Sequence, residues 1–316
     1  MAAHARNVTA GLFQSSILGK LFGGEEVAPP KVDVRDPAPA APLEGAAPAP
    51  PTTPPATVPL QGIPPRPADA LSGTEVAARL KTLPLEKREQ FIQEQVAKGN
   101  IPESQRTLER VTVKRQGADG KEHEITTYVM PDYVSLGSDK DSVRVPMTPM
   151  TAQKIGDQMN CSLPTRQMVN DIYGSAQRKP VFEGLQGTDA YRASGQAYVD
   201  HDAKMDKAMS GMGEGGIAAG HKKDIIIPAP EGKVGIYGGF DAKGQPIHNF
   251  KSHAHGDFYV DYSHGARMVS NTVYVDGKPM PMDQVLRDPD LAPLLSDTGA
   301  MDRTRYPTRS KNLPNV

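Results

Sequence analysis

The sequence contains one cysteine in 316 residues and has almost no net charge. A lone Cys161 cannot form an internal disulfide, and it excludes zinc or iron-sulfur sites that need several cysteines. No stretch approaches the roughly 18 apolar residues that a membrane-spanning helix requires. The 36 basic and 37 acidic residues nearly cancel, so there is no general attraction to nucleic acid. We therefore expect a protein with no transmembrane segment and no nucleic-acid partner.

Large apolar residues are also scarce between residues 25 and 70, where proline and alanine dominate. Such a segment buries too little surface to fold, which predicts a disordered, semi-stiff linker. The preceding residues 1–24 carry Arg6 and Lys20, no acidic side chain, and a helical apolar stripe. This amphipathic segment is predicted to dock a partner or a membrane surface, to act as an export address, or to be an ordinary short helix. An anchor followed by a spacer indicates an exported or virion-associated protein.

The rest of the chain shows helical signals first and strand signals later. Ser72 and Glu75 form a capping-box pattern, which predicts a helix to about Leu83, and Pro84 begins a second helix. These two helices are predicted to form a helical adaptor over residues 71–100, followed by a main domain over residues 101–316. A hairpin is predicted around residues 117–120, and further helices over 151–159, 164–173 and 188–209. The predicted fold class is α+β, with helices packed on a mainly antiparallel sheet.

Five of the eight histidines lie between Gly220 and His264. Because histidine titrates near neutrality and binds metals when neutral, this concentration beside Asp and Lys predicts a polar functional site. Lys222 and Arg267 are suited to hold an anionic group of a substrate. The candidate substrate-binding residues are His221, Lys222, Asp224, His248, Tyr262 and Arg267.

The segment from Phe258 to His264 alternates in polarity, as a half-buried strand does. In that strand Tyr262 and His264 would share an apolar face, while Asp261 would lie on the other face. His264 would then be either a core histidine or a base at the rim of a pocket. Both interpretations are open.

The thiol offers a second line of argument. Cys161 shortly precedes a predicted helix that begins at Pro164, and a thiol at a helix N-terminus has a lowered pKa. A cysteine hydrolase would then use Cys161 as nucleophile, His264 or His253 as base, and Asp261 to orient the base. The alternative is a small buried cysteine.

The residues Val234-Gly235-Ile236-Tyr237, followed by Gly244-Gln245-Pro246-Ile247-His248, resemble the strand pair of NlpC/P60 peptidoglycan peptidases. That resemblance implies a nucleophilic cysteine upstream, as Cys161 is here. The family's base directly precedes the first strand, where this chain has Lys233, and His248 matches the family's third residue. The base would then come from His253, His255 or His264. Together, the histidine-containing motifs also resemble an uncharacterised bacterial family, which implies no activity.

A metal site is the third line of argument. On a strand, His253, His255 and Asp257 would project to one face, a spacing suited to one zinc ion. This stretch resembles the His-x-His-x-Asp-His loop of the metallo-β-lactamase fold, with Phe258 in place of the final His. A solvated polar loop is the alternative.

These patterns lead to three functional hypotheses. The first is a hydrolase of cell-wall or other surface polymer that has a histidine-centred site and Cys161 as nucleophile, and needs no cofactor. The second is a non-catalytic structural or cargo protein of a virion or secretion apparatus. The third is a zinc-dependent hydrolase.

Overall fold

A computed structural model describes residues 53–249 and 254–309. The amphipathic segment 1–24, most of the predicted linker and His253 lie outside the described residues. The α-helices are α1 (Gly73–Thr82), α2 (Leu85–Ala97), α3 (Pro149–Gln158), α4 (Arg166–Ser175), α5 (Asp189–Arg192), α6 (Gly195–Met209) and α7 (Met282–Arg287), with 3-10 turns at Glu103–Gln105 and Ala292–Leu294. The strands are β1 (Thr57–Pro59), β2 (Thr107–Gln116), β3 (Glu122–Val129), β4 (Ser135–Ser138), β5 (Asp141–Arg144), β6 (Cys161–Ser162), β7 (Lys223–Ile225), β8 (Ile236–Phe240), β9 (Pro246–His248), β10 (His264–Gly265), β11 (Val269–Ser270), β12 (Thr272–Val275) and β13 (Lys278–Pro281).

Antiparallel pairing dominates the sheets, so the predicted α+β class is confirmed. In the described part of the chain, the largest sheet has the order β1-β2-β3-β11-β6, and β12 joins it through β3. The predicted hairpin is confirmed as β2 and β3, which pair from Glu109 opposite Val129 to Gln116 opposite Glu122. The second sheet has the order β10-β7-β8-β9, and β4 pairs with β5.

The linker is ordered over its last part. Within β1, Val58 pairs with Leu108 of β2, and the Tyr128 hydroxyl donates to the Pro55 carbonyl at 2.7 Å. The prediction of disorder up to residue 70 is therefore wrong for residues 53–70. Composition predicted an unfolded segment because these residues have little to bury among themselves, whereas an existing sheet edge supplies their hydrogen bonds.

The helix pair α1 and α2 is not a separate adaptor. The predicted capping box is confirmed, because the Ser72 hydroxyl accepts from the Glu75 amide at 3.3 Å and the Glu75 carboxylate accepts from the Ser72 amide at 2.8 Å. Val76 and Leu80 of α1 and Ile92 of α2 are fully buried in the same hydrophobic core as the large sheet. The boundary predicted at residue 100 therefore separates no independent core.

The single helix predicted over 188–209 is two helices, α5 and α6. The chain breaks before Ser194, whose hydroxyl caps α6 by accepting from the Ala197 amide at 3.2 Å. Gly195 follows because a Cβ at this position would collide with the Leu80 carbonyl of α1. Close packing against α1 thus explains why a new helix begins at Gly195, where hydrophobic periodicity predicted one continuous helix.

The strand predicted over 258–262 is absent from the described structure, where turns occupy this stretch. Asp261 explains the difference, because its carboxylate accepts from the Ser263 amide two residues later at 2.8 Å. Such a side-chain bond competes with a strand ladder and favours a turn. After the isolated bridge at Gly256, the chain next pairs at His264, in β10.

Candidate functional site

The second sheet places polar side chains in one row across its strands. His264 of β10 lies opposite Lys223 of β7, Lys223 lies opposite Gly238 of β8, and Gly238 lies opposite His248 of β9. Residues directly opposite each other on paired strands point to the same face of a sheet. The pairing therefore directs His264, Lys223 and His248 to one side, and Gly238 leaves a gap in the row.

Turn residues complete the arrangement around His264. The Tyr259 ring meets the His264 ring edge to face, with 5.8 Å between centroids, and stacks on the His255 ring at 3.7 Å. The Tyr259 hydroxyl donates to Asp261 Oδ2 at 3.0 Å. We call His248, His255, Tyr259, Asp261 and His264, together with Lys223, the His264 cluster. His255 is its exposed member, and the His264 side chain is fully buried.

Burial and hydrogen bonding set the charges in the cluster. Burial lowers the pKa of His264 to about 4, and the charge on Asp261 opposes this shift without overcoming it. Burial by itself raises the pKa of Asp261. His264 and the hydrogen bonds from Ser263 lower this pKa by more than burial raises it, to about 2. At neutral pH the cluster therefore combines an uncharged imidazole with an ionised carboxylate.

The imidazole of His264 is incompletely bonded. Neither of its ring nitrogens has a hydrogen-bond partner among the residues that the structure describes, whereas His221 and His201 each have one bonded ring nitrogen. Leaving a buried polar atom unpaired costs about 1–3 kcal/mol. Buried polar groups are nearly always paired, so two unpaired nitrogens on one ring call for an explanation such as a bound water or a functional role.

A second group of predicted site residues is sealed in the interior. His221 Nε2 lies 3.0 Å from Asp132 Oδ1, and Arg144 bonds Asp132 at 2.9 Å. Lys222 Nζ lies 3.1 Å from His201 Nδ1 and donates to the Tyr262 carbonyl at 2.8 Å. Burial lowers the pKa of Lys222 to about 8. These side chains bond other protein groups in the interior, and their predicted role in substrate binding stays a prediction.

Asp224 and Arg267 belong to the same sealed group. The Tyr133 hydroxyl donates to Asp224 Oδ2 at 2.9 Å, and Arg267 Nε lies 3.6 Å from Asp224 Oδ1. Arg267 donates to the carbonyls of Met130 at 2.8 Å and Ala218 at 2.6 Å, and its guanidinium stacks over the Tyr133 ring. Arg267 thus joins two chain segments in the interior, and its predicted role in holding a substrate anion stays a prediction. The ring of the remaining candidate, Tyr262, packs against His201.

Cys161 lies in the hydrophobic core. It is in β6, only 1% exposed, and α4 begins later, at Arg166, with Thr165 as its cap. Burial raises the pKa of the thiol to about 12. The predicted lowering of this pKa is therefore wrong, because α4 begins only at Arg166 and the core around the sulfur disfavours the thiolate.

We expect iodoacetamide to label Cys161 very slowly in the folded protein at pH 7.5. A rise of the pKa from 9.0 to about 12 lowers the thiolate fraction about 1000-fold. A mass-spectrometric time course in buffer and in 8 M urea measures this effect directly, because the chain has one cysteine. Equal labelling rates in the two conditions would contradict the buried position.

The predicted metal triad cannot be assembled from the described residues. His253 lies outside them, the exposed His255 stacks on Tyr259, and the buried Asp257 lines a groove. Among residues 53–249 and 254–309, no group of three or more His, Cys, Asp or Glu side chains is placed to hold a metal ion. A zinc site that includes His253 stays a prediction.

An open groove of about 880 Å³ lies beside the His264 cluster. It is lined by residues 231–233, by Gly256 and Asp257, and by Arg303, Arg305, Tyr306 and Pro307. Its two sides are tied together, because the Asp257 amide donates to the Gly232 carbonyl at 3.1 Å and the Val234 amide donates to the His255 carbonyl at 3.3 Å. The groove therefore begins one residue from the exposed imidazole.

Sequence reasoning missed two members of the cluster, Lys223 and Tyr259. Lys222 and Lys223 are adjacent, and only the pairing of Lys223 with His264 shows which amine accompanies the imidazoles. Tyr259 lies two residues before Asp261, and the hydroxyl of the one donates to the carboxylate of the other. The signal that could have found Tyr259 was its spacing of two from Asp261.

None of the helices in the described ranges is both long enough and apolar enough to cross a membrane. Comparison of the chain with models of known protein families, with curated proteins and with solved structures finds no match.

Proposed function

We propose that the protein hydrolyses a cell-wall or other surface polymer, with His264 as general base and Asp261 as the carboxylate beside it. The observation that supports this is the fully buried imidazole with two unpaired nitrogens, set beside a carboxylate that is ionised at neutral pH. The buried Lys222 and Arg267 side chains, in contrast, donate hydrogen bonds to backbone carbonyls. The unpaired imidazole is the better candidate for chemistry.

The cluster supplies the parts that water activation needs. A neutral imidazole accepts a proton from water while the water oxygen attacks the electrophilic centre, and the same proton then passes to the leaving group. The negative charge of Asp261 stabilises the imidazolium that forms in between. Lys223 and His248, on the same face, are placed to stabilise negative charge that develops on the substrate. The mechanism requires water to reach the buried His264, whose ring contacts the Tyr259 ring.

This mechanism differs from the thiol mechanism predicted from the sequence. Cys161 is buried with a raised pKa, and its sulfur donates to the Met159 carbonyl at 3.4 Å. A direct attack by water on the substrate needs no thiolate. The open groove next to His255 suits an extended, chain-like substrate.

We expect H264Q to lower the hydrolysis of purified cell walls at least 100-fold, because removal of a general base typically costs 10²–10⁴-fold. Released amino groups and reducing ends measure cleavage of the peptide and glycan parts. The matched control is H123Q, since His123 lies on the β2–β3 hairpin and bonds Asp119 and Asp276. H123Q and C161A should keep wild-type rates. Equal rates for H264Q and wild type, at equal thermal stability, would refute the proposal.

A non-catalytic structural protein is the second candidate. The observation that favours it is the sealing of His221, Lys222, Asp224 and Arg267, which makes much of the histidine-rich region an internal scaffold. This candidate predicts that wild-type protein releases no product from cell walls or other surface polymers. The same assay therefore separates the two candidates.

A further inference from the structure

The groove beside the His264 cluster has a chemical character of its own. Its lining contains three cationic side chains, Lys233, Arg303 and Arg305, and two acidic ones, Glu231 and Asp257. Tyr306 and Pro307 add apolar surface. The lining thus carries one more positive than negative charge, with apolar surface between the charges.

The two arginines are already balanced by carboxylates. Arg303 Nη2 lies 3.5 Å from Glu231 Oε2, and Arg305 Nη2 lies 2.6 Å from Asp157 Oδ2. All four of these side chains are more than a third exposed, so their pairing is weak and open to exchange with a ligand. Arginine in such a position can turn toward a bound carboxylate or phosphate.

Lys233 is the third cationic side chain of the groove lining. The Lys233 ammonium donates to the Ala254 carbonyl at 3.4 Å, a long hydrogen bond to an uncharged group. Its backbone pairs with Gly256, so the side chain is held at the end of the groove nearest His255. A negative group bound by Lys233 would therefore lie next to the proposed catalytic cluster.

We propose that this groove binds a polymer strand that carries carboxylate or phosphate groups, and that Lys233 holds the anionic group nearest the His264 cluster. This inference rests on the proposed function, which explains why a polymer would bind here. The binding itself requires no hydrolysis and can be measured separately. Tyr306 is a rigid part of the groove, because its hydroxyl donates to the Ile226 carbonyl at 2.7 Å and accepts from the Gly235 amide at 2.8 Å. An uncharged polymer of similar length lacks the group that Lys233 recognises.

Fluorescence anisotropy with labelled octaglutamate, labelled linear polyphosphate and labelled dextran tests this inference on the full chain. We expect octaglutamate or polyphosphate to bind, the stronger of the two identifying the anionic group, and dextran not to bind. K233Q should weaken the binding about five- to tenfold, and raising the salt from 50 to 200 mM should weaken it further. K121Q, a charge-matched change at the exposed β2–β3 turn, should bind like wild type.

The outcomes separate this inference from the hydrolase proposal. Equal affinity of K233Q and K121Q, dextran binding as strong as octaglutamate binding, or no binding of either anion would overturn the groove assignment. H264Q should bind the acidic probe as tightly as wild type. If K233Q loses binding of the anionic probe while H264Q keeps full hydrolysis, the groove assignment is supported and the role of His264 as general base is refuted. If H264Q loses hydrolysis while K233Q binds the probe like wild type, the role of His264 is supported and the groove assignment is refuted.

Discussion

The R267M variant should lose about 3–5 kcal/mol of unfolding free energy, as expected when one partner of a buried ion pair is removed. The substitution deletes the hydrogen bonds to the Met130 and Ala218 carbonyls and leaves the Asp224 carboxylate without its cation. Urea denaturation followed by circular dichroism measures the loss. The control is R305M, which removes an exposed arginine and should cost less than about 1 kcal/mol.

The cost of R267M should also depend on pH. Burial already raises the pKa of Asp224 to about 6 in the presence of Arg267, and loss of the arginine raises it further. A protonated Asp224 carries no charge to be stabilised, so the variant should lose less at pH 5 than at pH 8. An unfolding free energy within 1 kcal/mol of wild type at pH 8 would show that Arg267 does not carry this part of the fold.

Acidification from pH 7 to pH 4 should destabilise the wild-type protein by several kcal/mol. Burial lowers the pKa values of His221 and His264 to about 4, well below the ordinary value of 6.5. The folded state therefore binds fewer protons than the unfolded state between these values. The contribution of each histidine is complete above pH 6.5, is lost as the pH falls toward 4, and amounts to on the order of 3 kcal/mol.

Other groups modify this dependence in known directions. The pKa of His201 is lowered even further by burial and the charge on Lys222, so its destabilising effect continues below pH 4. Asp224 acts in the opposite sense, because its raised pKa lets the folded state take up a proton below about pH 6. Burial also raises the pKa values of Glu89, Asp171 and Asp202, which act in the same sense as Asp224, so the net acid effect is the destabilisation by the three histidines less the contribution of these carboxylates.

Urea midpoints at pH 7.5, 6, 5 and 4 measure the acid effect. H264Q should have a shallower dependence than wild type between pH 6.5 and 4. H123Q should not, because bonds to Asp276 and Asp119 raise the pKa of the exposed His123, which gives this residue the opposite sign. A midpoint that stays constant between pH 6.5 and 4.5 would be incompatible with three neutral buried imidazoles.

Local signals predicted the parts of the fold that local interactions decide. The Ser72 capping box and the β2–β3 hairpin are short-range devices, and both formed as predicted. The turn at Asp261 is also local, but there the hydrogen bond between Asp261 and Ser263 competed with the alternating strand pattern, and a turn formed. Hydrophobic periodicity alone does not show whether one side-chain hydrogen bond stabilises a turn more than backbone hydrogen bonds stabilise a paired strand.

The candidate site depended on contacts far apart in sequence. The two-residue strand β10 pairs in parallel with β7, and that pairing gives His264 its neighbour Lys223. Cys161 illustrates the same limit, because pairing of β6 with β11 and the surrounding core bury the thiol. The sequence predicted a polar functional site from the concentration of histidines between Gly220 and His264, and that site stays a prediction. The sequence could not show which of these histidines the interior would enclose, since burial is a property of the assembled layers.

Strand β1 has a consequence for the neighbouring strand as well as for the linker. A sheet edge with free N–H and C=O groups invites pairing with another molecule, and proteins commonly cover such edges. Pairing of Thr57 to Pro59 with Thr107 to Glu109 occupies part of the outer edge of β2, and Pro59 lacks an N–H that could recruit a further strand. Pairing with β1 thus leaves fewer free N–H and C=O groups on this part of β2 for a strand of another molecule.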